Sequence, residues 1–193
     1  TWQSSTDFCF RLTPQTELAG KTFGVVGFGN IGRRVAKMAE AFGMKVLIAS
    51  SFPDPAFETE NIGFVSMDEL FAASDIVSLH CPLTEKNRGF INRGAISKMK
   101  NGVVLLNTSR GPLINEGDLA EALKSGKVYA AGLDVLSVEP PEAGNPLIGL
   151  QNCIIPPHIA WITRESRMRL IDAAVANLES WLAGENMNCV NPK

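Results

Sequence analysis

The stretch Thr22-Phe-Gly-Val-Val-Gly-Phe-Gly-Asn-Ile-Gly-Arg33 decides the fold. Residues 23–28 form a short apolar run with β-branched Val25 and Val26, the pattern of a parallel strand buried on both faces. The run enters Gly27-x-Gly29-x-x-Gly32, and across residues 33–42 Val35, Met38, Ala39 and Phe42 recur at helical spacing. That order suits a dinucleotide. Gly27 permits the tight turn, Gly29 lets backbone approach a pyrophosphate, and Gly32 lets the helix pack closely on the strand. The N–H groups freed at the helix start, with the helix dipole, then hold the phosphates. Glycines alone mark any tight strand-to-helix turn; the strand before and the helix after make this one specific.

Working outward, residues 45–49 read as a second buried strand, 50–63 as a Pro-containing loop, and 68–73 as a short helix. Residues 76–79 read as a third strand, 91–99 as a helix and 103–107 as a fourth strand. A helix over 116–125 stops at Gly126, and strands follow over 128–135 and 152–155. A long amphipathic helix, with Thr163 as N-cap and Gly184 as terminator, is expected to close the domain through Leu170, Ile171, Ala174, Val175, Leu178 and Leu182. Alternating strands and helices predict an α/β, doubly wound, Rossmann-type parallel sheet covered on both faces. Residues 1–17 are polar, contain Pro14, and carry Trp2, Phe8 and Phe10 without periodicity; they read as a connector. The expected organisation is therefore a connector over 1–17, a nucleotide-binding domain over 18–184 and a return segment over 185–193. The absence of an initiator Met marks the chain as a fragment in this reading.

The 193 residues suffice for one domain that buries ~70% of its unfolded surface. A net charge of −2 gives no electrostatic reason for nucleic acid or an anionic membrane as partner. No apolar run is long enough to span a bilayer, and no signal peptide is seen. Cys9, Cys81, Cys153 and Cys189 form no C-x-x-C pair, so no metal site is expected and reduced thiols in a cytoplasmic setting are the simplest reading.

Ligands of such sheets bind beyond the carboxyl ends of the strands. There the chain places Ser50, His80, Arg110, Asp134, Glu139 and His158. Each alone has an ordinary reading as a solvated or loop residue. Together they make an acid and anion-binding set. Gly27-Phe-Gly-Asn-Ile-Gly32, Leu79-His-Cys-Pro-Leu-Thr84, Asn107-Thr-Ser-Arg-Gly111, Gly132-Leu-Asp-Val135 with Glu139-Pro140, and Pro157-His-Ile-Ala160 stand in the order found in D-isomer-specific 2-hydroxyacid dehydrogenases. The chain resembles that family over residues 18–190. Residues 2–10 and the string His158-Ile-Ala-Trp161 look most like its glycerate dehydrogenase (hydroxypyruvate reductase) branch.

The resemblance implies that Arg110 holds the substrate carboxylate and keto oxygen, that His158 is the general acid, and that Glu139 orients its ring. It implies NAD as coenzyme, NADP being possible. Gly27, Gly29, Asn30, Ile31 and Gly32 would take the pyrophosphate, Ser50 the ribose, and Asp134 the nicotinamide end. His80, Pro82 and Thr108 would line the groove. Trp161 either caps the substrate pocket or packs under the last helix. A homodimer through the nucleotide domain and a small 2-keto or 2-hydroxy acid substrate are also implied. Two other readings share the scaffold. One is a corepressor-type interaction module, which keeps the same residue set. The other is a formate dehydrogenase relative, whose usual Gln before the second catalytic position is not apparent. One departure stands out: the second strand ends in Ser50-Ser51-Phe52 where NAD-selective members carry an acid. Relaxed selectivity with a modest preference for NAD is expected.

Overall fold

Strand β1 (Thr22–Val26) lies beside β2 (Lys45–Ala49), with Val25 opposite Ile48. Because strand side chains alternate, the two faces fill separately. Phe23, Val25, Val46 and Ile48 pack with Phe28 and with Ala36 and Ala39 of α1 (Asn30–Ala41). Val26, Leu47 and Ala49 point the other way, toward Leu70 and Phe71 of α2 (Met67–Ala73). The chain continues through β3 (Ile62–Phe64), β4 (Ile76–Leu79), α3 (Arg93–Lys98), β5 (Val103–Asn107), α4 (Glu116–Lys124), β6 (Val128–Leu133), β7 (Cys153–Ile154) and α5 (Arg164–Leu182). The computed structural model describes residues 15–191 without a break, together with Gln3, Ser5, Thr6, Phe8 and Cys9. Trp2, Phe10 and Pro14 of the expected connector lie outside the described residues.

The strands form one parallel sheet in the order β3-β2-β1-β4-β5-β6-β7. The order reverses between β1 and β4, and a crevice opens above their carboxyl ends. The doubly wound architecture is as the sequence predicts, with four differences. The segment read as a loop over 50–63 leads into β3, an edge strand too short, and interrupted by Gly63, to show a period. Gly27, at φ 98°, ends β1 before Phe28, so α1 starts at Asn30. Ile91 is not helical: it bridges to Ile114, and Asn92 caps α3 by accepting from the Ala95 N–H.

The fourth difference is the largest. Helix α5 does not close the domain, for none of its residues is buried. Leu170, Ile171, Val175, Leu178 and Leu182 remain exposed. Nor is the sheet covered on both faces throughout. On the α1 side, register carries Val25 across to Ser78, Leu106, Gly132 and Ile154. Ile154 there is 73% exposed. Thr163 does cap α5, and Gly184, at φ 81°, follows its last turn.

Candidate active site at the carboxyl edge of the sheet

The glycine loop occupies the crevice between β1 and β4. A Cβ on Gly27 would stand 2.6 Å from the Cys81 backbone nitrogen, and one on Gly32 would stand 2.2 Å from the Gly27 carbonyl oxygen. Both positions therefore require glycine. A Cβ on Gly29 meets nothing within 4 Å, so open space lies above the middle of the loop. Helices α2, α3, α4 and α5 each have a side-chain N-cap: Ser66, Asn92, Asn115 and Thr163. Helix α1 has none, and no acidic residue stands in its first turn. The N–H groups of Asn30, Ile31 and Gly32 thus face open space with no side-chain acceptor supplied, an arrangement that fits an anionic pyrophosphate.

Around this loop the other residues take their places. Ser50 follows β2 and accepts from the Phe52 N–H at 3.1 Å. His80 follows β4, and its Nε2 lies 2.9 Å from the Ser78 hydroxyl. Burial pushes the His80 imidazole below its usual value. The Pro82 carbonyl accepts from Asn87 Nδ2 at 2.8 Å, and Thr108 is exposed at the end of β5.

Asn107, wholly buried, builds the turn that presents Arg110. Its Oδ1 accepts from the Ser109 N–H at 3.0 Å, and its Nδ2 donates to the Arg110 carbonyl at 2.9 Å. The Ser109 hydroxyl ties the same turn to the Cys81 carbonyl at 2.6 Å. A Cβ on Gly111 would lie 1.9 Å from the Leu136 carbonyl oxygen, so the Arg110 turn sits directly against the segment leading to Glu139.

His158 and Glu139 meet: Nδ1 lies 2.7 Å from Oε2. Glu139 Oε1 accepts from the Leu136 N–H at 2.8 Å. The hydrogen bond with His158 is the chief reason the Glu139 carboxyl lies below the usual glutamate range, and the Arg110 charge adds to it. His158 has φ 53°, a left-handed backbone uncommon for a residue with a side chain. Asp134 imposes it. The Asp134 carbonyl accepts from the His158 N–H at 3.0 Å, and its two carboxylate oxygens accept from Ile159 and Ala160 at 2.8 and 2.9 Å. The half-exposed Trp161 indole donates to the His158 carbonyl at 3.1 Å. A cleft of about 340 Å³ opens beside the pair, lined by Asp134, Leu136, Glu139, Ile148, Pro157 and His158.

Three roles here are absent from a reading along the chain, though two of the residues carry a signal. Asn107 carries a recognisable signal, an Asn closing a strand before Ser and Gly. Asp134 is legible as a site residue, but its clamp on residues 158–160 is not. Glu116, at the start of α4, accepts from the Ser137 N–H at 2.6 Å and from Asn145 Nδ2 at 2.7 Å, anchoring the loop that bears Glu139. Nothing in its neighbours announces that task.

A family model, D-isomer specific 2-hydroxyacid dehydrogenase, NAD binding domain, matches residues 2–160. The chain belongs to this family. Its fold is the family's NAD-binding domain. Hydroxypyruvate reductase of Blautia hydrogenotrophica is 53% identical over 98% of this chain and 59% of its own length. Glycerate dehydrogenase of Methylorubrum extorquens is 40% identical over 98% and 59%. The NAD-complexed D-isomer specific 2-hydroxyacid dehydrogenase of Lactobacillus delbrueckii ssp. bulgaricus superposes with a TM-score of 0.85 at 29% identity, over 96% of this chain and 61% of that one. The chain thus spans about 59% of the length of each of these two curated relatives. Among the described residues, no helix is long and apolar enough to cross a membrane.

Proposed function

We propose that this chain is the coenzyme-binding half of an NAD-dependent reductase of small 2-keto acids, with hydroxypyruvate and glycerate as its substrate pair. The observation that carries the reading is the 2.7 Å contact between His158 Nδ1 and Glu139 Oε2, on the same sheet edge as the glycine loop. The names of the relatives support the substrate.

Bound nicotinamide supplies or accepts the hydride. The chain's own residues do the rest. With Nδ1 engaged by Glu139, Nε2 of His158 carries the proton to the keto oxygen, and in the reverse direction takes it from the hydroxyl. Arg110 binds the substrate carboxylate with a planar fork of donors. Asp134 fixes the segment that carries the acid. The glycine loop and the α1 start, Gly27 to Gly32, would hold the pyrophosphate. Ser50, His80, Pro82 and Thr108 line the coenzyme groove, and Trp161 borders the substrate.

Residues 1–17 and 185–193 connect residues 18–184 to a substrate-side domain that covers the α5 stripe. Contacts between nucleotide domains make a homodimer, as the family resemblance implies, and light scattering reads its mass. The four free cysteines support a cytoplasmic setting. The test of function is NADH oxidation by the full-length protein with hydroxypyruvate, glyoxylate and pyruvate. Turnover is expected to be fastest with hydroxypyruvate. Bound NADH without turnover of any 2-keto acid overturns the reading.

A further inference from the structure

The carboxyl end of β2 carries no acid, yet an acid reaches the neighbourhood by another route. Ser50 is engaged in its own turn with Phe52. Asp54 caps the 3-10 turn Pro55–Phe57: its Oδ1 accepts from the Ala56 N–H at 3.2 Å. Its Oδ2 receives Arg33 Nη1 at 2.9 Å. Arg33 follows Gly32 directly and stands in the first turn of α1. Its guanidinium carbon lies 4.1 Å above the centre of the Phe28 ring, within the glycine loop, and 5.6 Å from that of Phe57. The rings hold their own places, since Phe28 meets Phe57 and Phe64 edge to face at 4.8 and 4.9 Å. Arg33 is thus pinned between the glycine loop and the segment after β2. The Arg33 and Asp54 side chains remain 41% and 37% exposed. In sheets of this order the adenosine ribose lies between those two segments, and an arginine nearby is what accommodates a 2′-phosphate. Along the chain no cation follows Ser50. In the fold one is present, with a carboxylate already on it.

We propose that the Arg33–Asp54 pair sets coenzyme selectivity. Asp54 occupies the guanidinium and opposes a 2′-phosphate, so the coenzyme with a free ribose 2′-hydroxyl is preferred. Arg33 is the cation that a 2′-phosphate would otherwise engage. The inference rests on the assignment of the glycine loop to NAD and is independent of the substrate.

Titrations of NADH and NADPH into the full-length protein, followed by nicotinamide fluorescence, test it. The wild type is expected to bind NADH more tightly than NADPH. Asp54→Asn keeps an oxygen to cap the 3-10 turn while removing the charge. It should tighten NADPH binding by ~10-fold and change NADH binding by less than ~3-fold. Adding Arg33→Gln should abolish that gain. An unchanged NADPH-to-NADH ratio in Asp54→Asn, a gain that survives in the double variant, or equal affinities in the wild type each overturn the proposal. Failure of the wild type to bind NADH overturns the coenzyme assignment as well.

Discussion

His158 combines a left-handed backbone with a ring held at one nitrogen, and every group that enforces this geometry lies within the segments 134–139 and 156–161. A conformation this uncommon persists only where the surroundings over-determine it. Here the Asp134 carbonyl, both Asp134 carboxylate oxygens and Glu139 do so. If His158 delivers the proton, His158→Ala in the full-length protein should lower kcat for hydroxypyruvate reduction by ~10²–10⁴-fold. The dissociation constant for NADH should stay nearly unchanged, because the glycine loop is untouched; stopped-flow and equilibrium titration separate the two. Glu139 offers a pH prediction. Its folded value is depressed, chiefly by the hydrogen bond with His158. The contribution of such a carboxylate is complete above the ordinary glutamate value near 4.5 and is lost as pH falls through the lower folded value. Carboxyl carbon shifts of Glu139 should therefore titrate with a midpoint below 4.5, and His158→Ala should move that midpoint up.

At the scale of elements, helix ends explain much of what folds locally. Ser66 and Glu69 form a reciprocal capping box at the start of α2, with Ser66 N–H donating to Glu69 Oε2 at 2.9 Å and Ser66 Oγ accepting from Glu69 N–H at 3.3 Å. Ser66→Ala should destabilise the protein by ~1 kcal/mol, read from urea unfolding followed by circular dichroism. The same local signals made most of the sheet readable. Val25, Val26, Val46 and Ile48 announce buried strands because parallel strands between helices are apolar on both sides. Gly27, Gly126 and Gly184 punctuate correctly because their φ values of 98°, 76° and 81° suit glycine. Strand β3 was not readable, since three residues containing a glycine cannot display a period. Helix α5 misled for a different reason. Its stripe of Leu170, Val175 and Leu178 specifies that the helix has an apolar partner, not which one. The His158–Glu139 contact was anticipated from the family pattern, whereas the Arg33–Asp54 contact joins residues brought together only by the packing of Phe28, Phe57 and Phe64.

At the scale of the whole molecule, the described residues leave the α5 stripe and the α1 side of the sheet around Ile154 uncovered. Both should be covered in the full-length protein if a second domain packs there. Leu178→Asp and Ile154→Asp should then each lower its stability by ~1–3 kcal/mol, seen as a drop in Tm. On a freely solvated surface the same changes would leave Tm within error. The order of the strands also has a consequence in time. β1 is joined on one side by β2 and on the other by β4, which arrives only after β2, β3 and α2 have been passed. Parallel sheets built from such distant pairings close slowly. Until β4 docks, the apolar edge of β1 is an unpaired template, open to the same edge of a second chain. Renaturation of this protein is therefore a race between β4 and its neighbours in solution, and its yield falls as the chains are crowded together.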